Sequence, residues 1–371
     1  MPNDPLKTKL TDELGMELPV FAFTPSREVA AEVSRAGGLG VIAGALRDLD
    51  EIERDIRWLR EQLGSKPFGV DLLLPASAPP AGTIEELMAQ IPEEHKRFVE
   101  GIKERHRIPD AKNPPLFYEL GWVNQERARR QVDLVLEERV PVLAFGLGSP
   151  NFILEAAHAR GIKVLGLVGK PRQAQREIEA GVDAIIAQGS DAAGHTGSIG
   201  TFSIVPSVVA LAGDTPVIAA GGVTTGRHLA AALCLGAQGV WTGTIWLASK
   251  ESDRDPIIKK KILAAGTDDT VLSTSVSGFT MRTIKTQWTE EWQSPDAPRP
   301  LPAPYQLLLA GELHQAANDY KIEPFMIEAA GQGVGFVTAE RPVRDIVRDL
   351  ADEARRVLET VGGGAPAVPA S

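Results

Sequence analysis

The most constraining feature of this sequence is a repeated alternation of short apolar runs with longer helical patterns. Each short run predicts a buried strand, and the helical patterns between the runs predict parallel β–α units. The eight runs lie at residues 19–23, 39–42, 67–74, 142–145, 163–168, 183–187, 216–220 and 238–242. Helical patterns include residues 26–36, 49–63, 124–138, 171–180 and 225–235, with Ser26, Asn124 and Thr224 as predicted N-caps.

A glycine lies between several of the predicted helices and the strands that follow them. Gly37, Gly161, Gly181 and Gly236 stand where a left-handed residue commonly ends a helix. Eight parallel strands with this rhythm predict an α/β protein folded as a (β/α)8 TIM barrel. Such a barrel needs about 250 residues. The chain has 371, so the surplus must form insertions.

Two blocks of sequence exceed what the barrel needs. We expect residues 1–248 to form the barrel, with an insertion at residues 76–115 that covers one barrel mouth. Residues 249–324 are predicted to form a small lid or substrate domain, and residues 325–361 to return to the barrel. Within the second block, Met281, Arg282, Lys285 and Trp288 suit either a lid facing a ligand or a packing face. The Gly- and Pro-rich residues 362–371 are predicted to be a disordered tail.

Composition excludes several functional classes. The 39 Lys and Arg residues against 49 Asp and Glu residues give a net charge of -10, with no long basic run for a nucleic acid or an anionic membrane. No uninterrupted apolar stretch reaches the length of a membrane span. A single cysteine, Cys234, cannot form an internal disulfide, and the first 18 residues are too polar for a signal peptide. We therefore expect a cytoplasmic protein.

Glycine-rich turns follow the last two predicted strands, where barrels of this type bind phosphate. Gly221 and Gly222 follow the seventh strand, and Gly243 and Thr244 follow the eighth. Glycines before a helix let backbone amides approach an anion. The alternative is that these are only tight turns. No dinucleotide fingerprint, metal-binding motif, GxSxG or Walker A motif is present, so neither a metal nor a Rossmann-type site is expected.

A histidine among small residues follows the sixth predicted strand. His195 lies between Gly194 and Gly197, on a loop where core packing does not explain a histidine. Histidine is well suited to proton transfer near neutral pH, and the flanking glycines leave room for a flat ligand. The alternative is a loop histidine that bonds to its own backbone.

Four segments together resemble the nitronate monooxygenase family, formerly called 2-nitropropane dioxygenase. They are AQGSDAAGHTG at residues 187–197, AAGGV at 219–223, Gly243-Thr244, and GQGVG at 331–335. The resemblance implies an FMN-dependent barrel. The phosphate of FMN would then rest on Gly221, Gly222, Gly243 and Thr244. The flavin ring would meet the backbone of Ala22, Phe23 and Thr24, and Gln188 and Gly194 would approach the cofactor from strand six.

Asp71 departs from this resemblance, because the family commonly has asparagine at the end of strand three. Asparagine can donate a hydrogen bond to the flavin or its ribityl chain, whereas an ionised aspartate only accepts. Asp71 therefore either accepts from a ribityl hydroxyl or has a pKa raised by burial.

The family resemblance implies FMN-dependent oxidation of alkyl nitronates with O2, giving a carbonyl compound and nitrite. His195 would abstract the α-proton of a neutral nitroalkane or bind the nitronate oxygens. The expected partners are a small-molecule substrate and O2, and neither a nucleic acid nor a membrane is expected. The sequence does not decide between a monomer and a homodimer.

Related barrels leave other functions open. The chain also resembles FMN-dependent enoyl-ACP reductases and NADH:quinone reductases, which share the histidine-bearing loop. An FMN-dependent NAD(P)H reductase of an enoyl thioester or a quinone is therefore the alternative. A third hypothesis is a flavin- or phosphate-binding barrel without turnover.

Overall fold

A computed structural model describes residues 4–45, 47–74, 83–115, 125–148 and 151–362. Its strands are β1 (Val20–Thr24), β2 (Leu39–Ala43), β3 (Phe68–Leu73), β4 (Val142–Gly146), β5 (Lys163–Val168), β6 (Ala184–Gln188), β7 (Gly194–His195), β8 (Val217–Ala220), β9 (Gly239–Thr242), β10 (Thr270–Ser273) and β11 (Met281–Ile284). Eight of them close a parallel barrel in the order β1-β2-β3-β4-β5-β6-β8-β9. The predicted (β/α)8 barrel is confirmed, and each predicted strand lies within a residue or two of the observed one.

Parallel pairing of the first and last strands closes the barrel. Val20 lies opposite Val240 and Ala22 opposite Thr242. Successive residues of a strand point to opposite faces, so alternate side chains such as Phe21 and Trp241 fill the barrel interior. Their neighbours pack outward against the helices. A short N-terminal helix closes the bottom of the barrel with side chains that include Leu10.

The α-helices reproduce the predicted pattern. They are α1 (Lys9–Leu14), α2 (Arg27–Arg35), α3 (Leu49–Leu63), α4 (Ile84–Ala89), α5 (Glu93–His106), α6 (Gln125–Glu137), α7 (Leu154–His158), α8 (Pro171–Ala180), α9 (Thr201–Ala212), α10 (Gly226–Cys234), α11 (Pro256–Ala264), α12 (Gln287–Glu291), α13 (Tyr305–Asp319) and α14 (Val343–Gly362). None of these described helices is long and apolar enough to span a membrane.

One predicted N-cap is confirmed and one is wrong. The cap of α10 is Thr225 rather than Thr224, because the Thr225 hydroxyl accepts the His228 N–H and the His228 side chain bonds back to Thr225. Ser26 occupies the N-cap position of α2 as predicted, although its side chain makes no capping hydrogen bond. Its hydroxyl bonds the Asp253 carboxylate instead. Asn124 lies outside the described residues.

The two insertions share one hydrophobic core. Helices α4 and α5 of the first insertion pack against α13 of the second, and side chains such as Ile102, Trp288 and Leu313 are buried together. Lys103 on α5 joins the two insertions, with its Nζ 2.7 Å from Asp110 and 2.9 Å from Glu312. We call this second core with its helices the lobe. Residues 75–82 of the first insertion lie outside the described residues.

The chain returns from the lobe to the barrel wall at its C-terminal end. Residues 323–337 contain two 3-10 turns, Glu323–Phe325 and Gln332–Phe336. Helix α14 then packs against α2 and α10. Its Glu353 carboxylate accepts the N–H of Gly226, 2.7 Å away, at the start of α10. The predicted disordered tail lies outside the described residues from residue 363 onward.

Candidate functional site

The turn after β8 has a backbone that only glycine adopts without strain. Gly221 has φ +111 and Gly222 has φ +73, both in the region that side chains disfavour. A Cβ on Gly221 would lie 2.5 Å from Thr201 Oγ1. The turn leads into the N-terminus of α10, where the backbone carries a partial positive charge. This arrangement suits an anion.

A third chain segment meets this turn. The Thr244 hydroxyl oxygen accepts the Gly331 N–H over 2.9 Å, and a Cβ on Gly331 would lie only 2.6 Å from Asp191 O. A Cβ on Gly333 would likewise lie 2.6 Å from Gly222 O. The GQGVG segment contributes to the family resemblance, yet sequence reasoning assigned it no place. Its alternating glycines were the signal of close backbone packing.

We call the turn at Gly221 and Gly222, together with Gly243 and Thr244, the cradle, and its backbone offers free donors to an anion. The N–H groups of Gly222 and Val223 donate to no acceptor within the described part of the chain. Asp191 is the nearest acid, and its Cβ lies 3.3 Å from a Cβ built on Gly222. Its carboxylate is already bonded to the Thr201 N–H, 2.7 Å away, at the start of α9, which offsets part of its charge. The residues therefore fit the phosphate of FMN.

His195 lies in a two-residue strand that the sequence did not predict. It pairs antiparallel with Met281 of β11, and its Nε2 lies 2.8 Å from Ser277 Oγ. The Phe279 ring stands edge-on to the imidazole, 5.8 Å between centroids. Desolvation lowers the pKa of His195 below its ordinary value of 6.5, although the residue as a whole is exposed to solvent. The imidazole is therefore neutral at neutral pH and able to accept a proton.

Ser277 was missed by sequence reasoning because no motif marks it. It lies 82 residues from His195 along the chain and is buried. His195 Nε2 therefore bonds to the Ser277 side chain, and not to the backbone of its own loop as the alternative interpretation expected. Its position shows that the lobe, and not only the barrel, supplies the surroundings of His195.

Arg282 joins the histidine loop to the lobe through hydrogen bonds. It is buried, and it donates from Nε to Ser190 O and from Nη1 to Thr270 Oγ1, both over 3.0 Å. Desolvation lowers the pKa of its guanidinium, and the nearby Asp191 opposes this. Trp288 is fully buried and donates to Ser275 O. Of the two alternatives for this segment, Arg282 and Trp288 therefore fit the packing face.

The remaining candidate residues surround the upper end of the barrel. Phe23 faces inward and stacks on Trp241, 6.1 Å between centroids. The Ala22 side chain points outward into the helix layer, and Thr24, two residues further along β1, points to the same face, so these two offer backbone to a ligand inside the barrel. Gln188 ends β6, and Gly194 has φ +69 in the histidine loop.

Asp71 is buried at the mouth of the barrel. Desolvation raises the pKa of its carboxyl to about 8. No ion pair to Asp71 exists among the described residues. Of the two alternatives that the sequence left open, the structure supports the raised pKa. The side chain is then mostly protonated at neutral pH.

Comparison with known proteins gives whole-chain matches. The family model described as nitronate monooxygenase matches residues 7–353. A protein of Mycobacterium tuberculosis named as a monooxygenase is 38% identical over 370 residues, covering 96% of this chain and 98% of its own. Among solved structures, nitroalkane oxidase from Streptomyces ansochromogenes has a TM-score of 0.79 at 27% identity, covering 94% and 98%. FabK from Thermotoga maritima has a TM-score of 0.72 at 29% identity, covering 96% and 99%.

Proposed function

Because this chain belongs to the nitronate monooxygenase family, we propose that it oxidises alkyl nitronates with O2 to a carbonyl compound and nitrite, using FMN. The family and the name of the M. tuberculosis relative support an oxidoreductase enzyme. The observation that supports the finer proposal is that one loop contributes a residue beside the cradle and also contributes the neutral His195. Asp191 approaches Gly222 in the cradle and lies four residues before His195 in the same loop.

The cofactor assignment rests on the presence of a single candidate phosphate site among the described residues. Gly221, Gly222, Gly243 and Thr244 would hold one phosphate, and the chain has no dinucleotide fingerprint for a second. The Thr244 oxygen accepts from Gly331, which leaves its hydroxyl proton available for a phosphate oxygen. When bound, FMN would supply the electron-accepting ring.

His195 would act on the proton of a neutral nitroalkane. If Nε2 carries the proton and donates it to Ser277 Oγ, the lone pair of the imidazole lies on Nδ1. The α-proton of the substrate would then move to Nδ1. A nitronate has already lost that proton, so His195 would only hydrogen-bond its oxygens. The lowered pKa of His195 favours this role, because the base must be unprotonated before it reacts.

The second candidate is an FMN-dependent NAD(P)H reductase of an enoyl thioester or a quinone. The likeness to FabK, at 29% identity over 96% of this chain, favours it. The higher TM-score of the nitroalkane oxidase, 0.79 against 0.72, supports the first proposal. Fold alone does not choose between these reactions, so the choice requires an experiment.

Two measurements test the proposal. Mass spectrometry of the cofactor released by heat should find FMN, and FAD would refute the one-phosphate assignment. The flavoprotein is then mixed without oxygen with a nitronate, NADH or NADPH while the flavin absorbance is followed. We expect bleaching or semiquinone formation with the nitronate alone. Rapid bleaching by a pyridine nucleotide, with no response to the nitronate, would establish the reductase instead.

A further inference from the structure

Asp71 faces the interior of the barrel. Val70 and Leu72, its neighbours along β3, pack outward in the core between barrel and helices, and successive residues of a strand point to opposite faces. Asp71 lies opposite Ala43 of β2 and Ala144 of β4. A carboxyl group therefore stands near the carboxyl end of β3, where the barrel binds its ligand, between two methyl side chains.

Among the residues that the structure describes around β3, no charged group compensates this carboxyl. Strands β2 and β4 contain no titratable side chain, and β3 contains only Asp71. Helices α2 and α6 pack on the outer side of β3, so their charged side chains do not enter the barrel. Arg47, in the loop that follows β2, forms an ion pair with Asp55 and donates to Pro25 O.

Two further titratable groups of the described residues, His195 and Asp191, lie on the histidine loop. His195 is uncharged at neutral pH because desolvation lowers its pKa, and Asp191 is bonded to the start of α9. Neither supplies a positive charge to Asp71. Burial accordingly raises the pKa of the Asp71 carboxyl to about 8, with desolvation as the cause.

We propose that Asp71 binds FMN as a protonated carboxylic acid that donates a hydrogen bond, so that FMN binding requires one proton on the protein. The inference rests on the proposed FMN dependence. A carboxylic acid can donate to flavin carbonyl oxygens, ring nitrogens or ribityl oxygens, whereas a carboxylate can only accept. An ionised Asp71 would also add a second negative charge to a site that must hold a phosphate.

The test is the dissociation constant of FMN, measured by quenching of flavin fluorescence with cofactor-free protein between pH 6.5 and pH 9. If only the acid binds FMN and its pKa is about 8, the dissociation constant should rise about tenfold from pH 7 to pH 9. The Asp71→Asn variant keeps a donor at every pH, so its affinity should be tight and independent of pH.

Glu177→Gln is the matched control. Glu177 is a second buried acid, and burial raises its pKa to about 7. It lies on α8 beside Gly166, outside the barrel. This variant should keep the wild-type pH profile. If Asp71→Asn does not fold, a measurement of proton uptake by the wild-type protein takes its place. FMN is added to the protein in weakly buffered solution at pH 9, and an indicator dye should show that the protein takes up protons.

Several results would overturn the proposal. One is a wild-type affinity for FMN that stays constant or increases as pH rises. Another is an Asp71→Asn variant whose FMN affinity depends on pH as the wild-type affinity does. A third is the absence of proton uptake when FMN binds at pH 9. In each case FMN would still bind, and the proposed function would stand. Failure of the wild-type protein to bind FMN at pH 6.5 would refute the cofactor assignment itself, and this inference with it.

Discussion

Replacement of Gly222 by aspartate should separate the charge of the proposed phosphate site from its shape. At φ +73 most side chains are strained, but Asn and Asp tolerate this region better than others. A Cβ at this position meets only the Asp191 Cβ, at 3.3 Å, so a small movement accommodates it. Gly222→Asp and Gly222→Asn therefore share similar backbone strain and differ by one negative charge.

The charge difference is large enough to measure. At about 5 Å and an effective dielectric of about 20, two unit charges repel by about 3 kcal/mol. Each 1.4 kcal/mol is tenfold in affinity, so Gly222→Asp should bind FMN at least about 100-fold more weakly than Gly222→Asn. Fluorescence titration measures both dissociation constants. Added salt should narrow the gap, because Gly222 is only partly buried and salt screens exposed charges.

Equal FMN affinities for the two variants would refute the placement of the phosphate at this turn. Thermal melting of the cofactor-free proteins provides the control. The aspartate also stands beside Asp191, so a lower melting temperature for Gly222→Asp alone would mean that part of its loss is a folding effect. Affinities are then compared at a temperature where both variants are folded.

Three further predictions concern titratable side chains. His195→Asn should lose at least about 100-fold in rate on neutral nitroalkanes and far less on pre-formed nitronates; equal losses with FMN bound would make His195 a positioning residue. Because burial lowers the pKa of His195 below 6.5, the wild-type rate on nitroalkanes should fall on the acid side with a midpoint below pH 6.5; a midpoint above pH 6.5 would contradict this. Burial raises the folded-state pKa of Glu177 from 4.5 to about 7, so the folded chain holds a proton that the unfolded chain releases, and stability falls as pH rises between these values. Between pH 5 and pH 8, the free energy of unfolding of Glu177→Gln, measured in urea, should increase by up to about 3 kcal/mol relative to that of wild type. A difference between the two free energies that does not change with pH would refute the assignment.

The boundaries of single elements show how far local sequence reasoning reaches. The predicted helix at residues 171–180 coincides with α8, and the one at 225–235 exceeds α10 by one residue at each end. The cap of α10 was placed one residue early because Thr224 and Thr225 are chemically alike. Only the bond between Thr225 and His228 distinguishes them.

The amino-acid sequence by itself determined the features that depend on neighbours along the chain. The alternation of apolar runs with amphipathic helices predicts a barrel, because burial of one face imposes a period of 2 or 3.6 residues. The paired glycines at 221 and 222 predicted a turn that lets backbone amides approach an anion, for a similarly local reason. The candidate residues could be chosen because the strand ends of such a barrel meet at one face.

Only the tertiary structure decided which distant residues meet and how their surroundings change them. Ser277 reaches His195 across 82 residues, and the two insertions join in one lobe whose core includes Ile102 and Leu313. Burial in the barrel raises the pKa of Asp71 to about 8, and within the described part of the chain no cation pairs with it. Desolvation and long-range contact depend on distances in space, and spacing along the chain does not contain those distances.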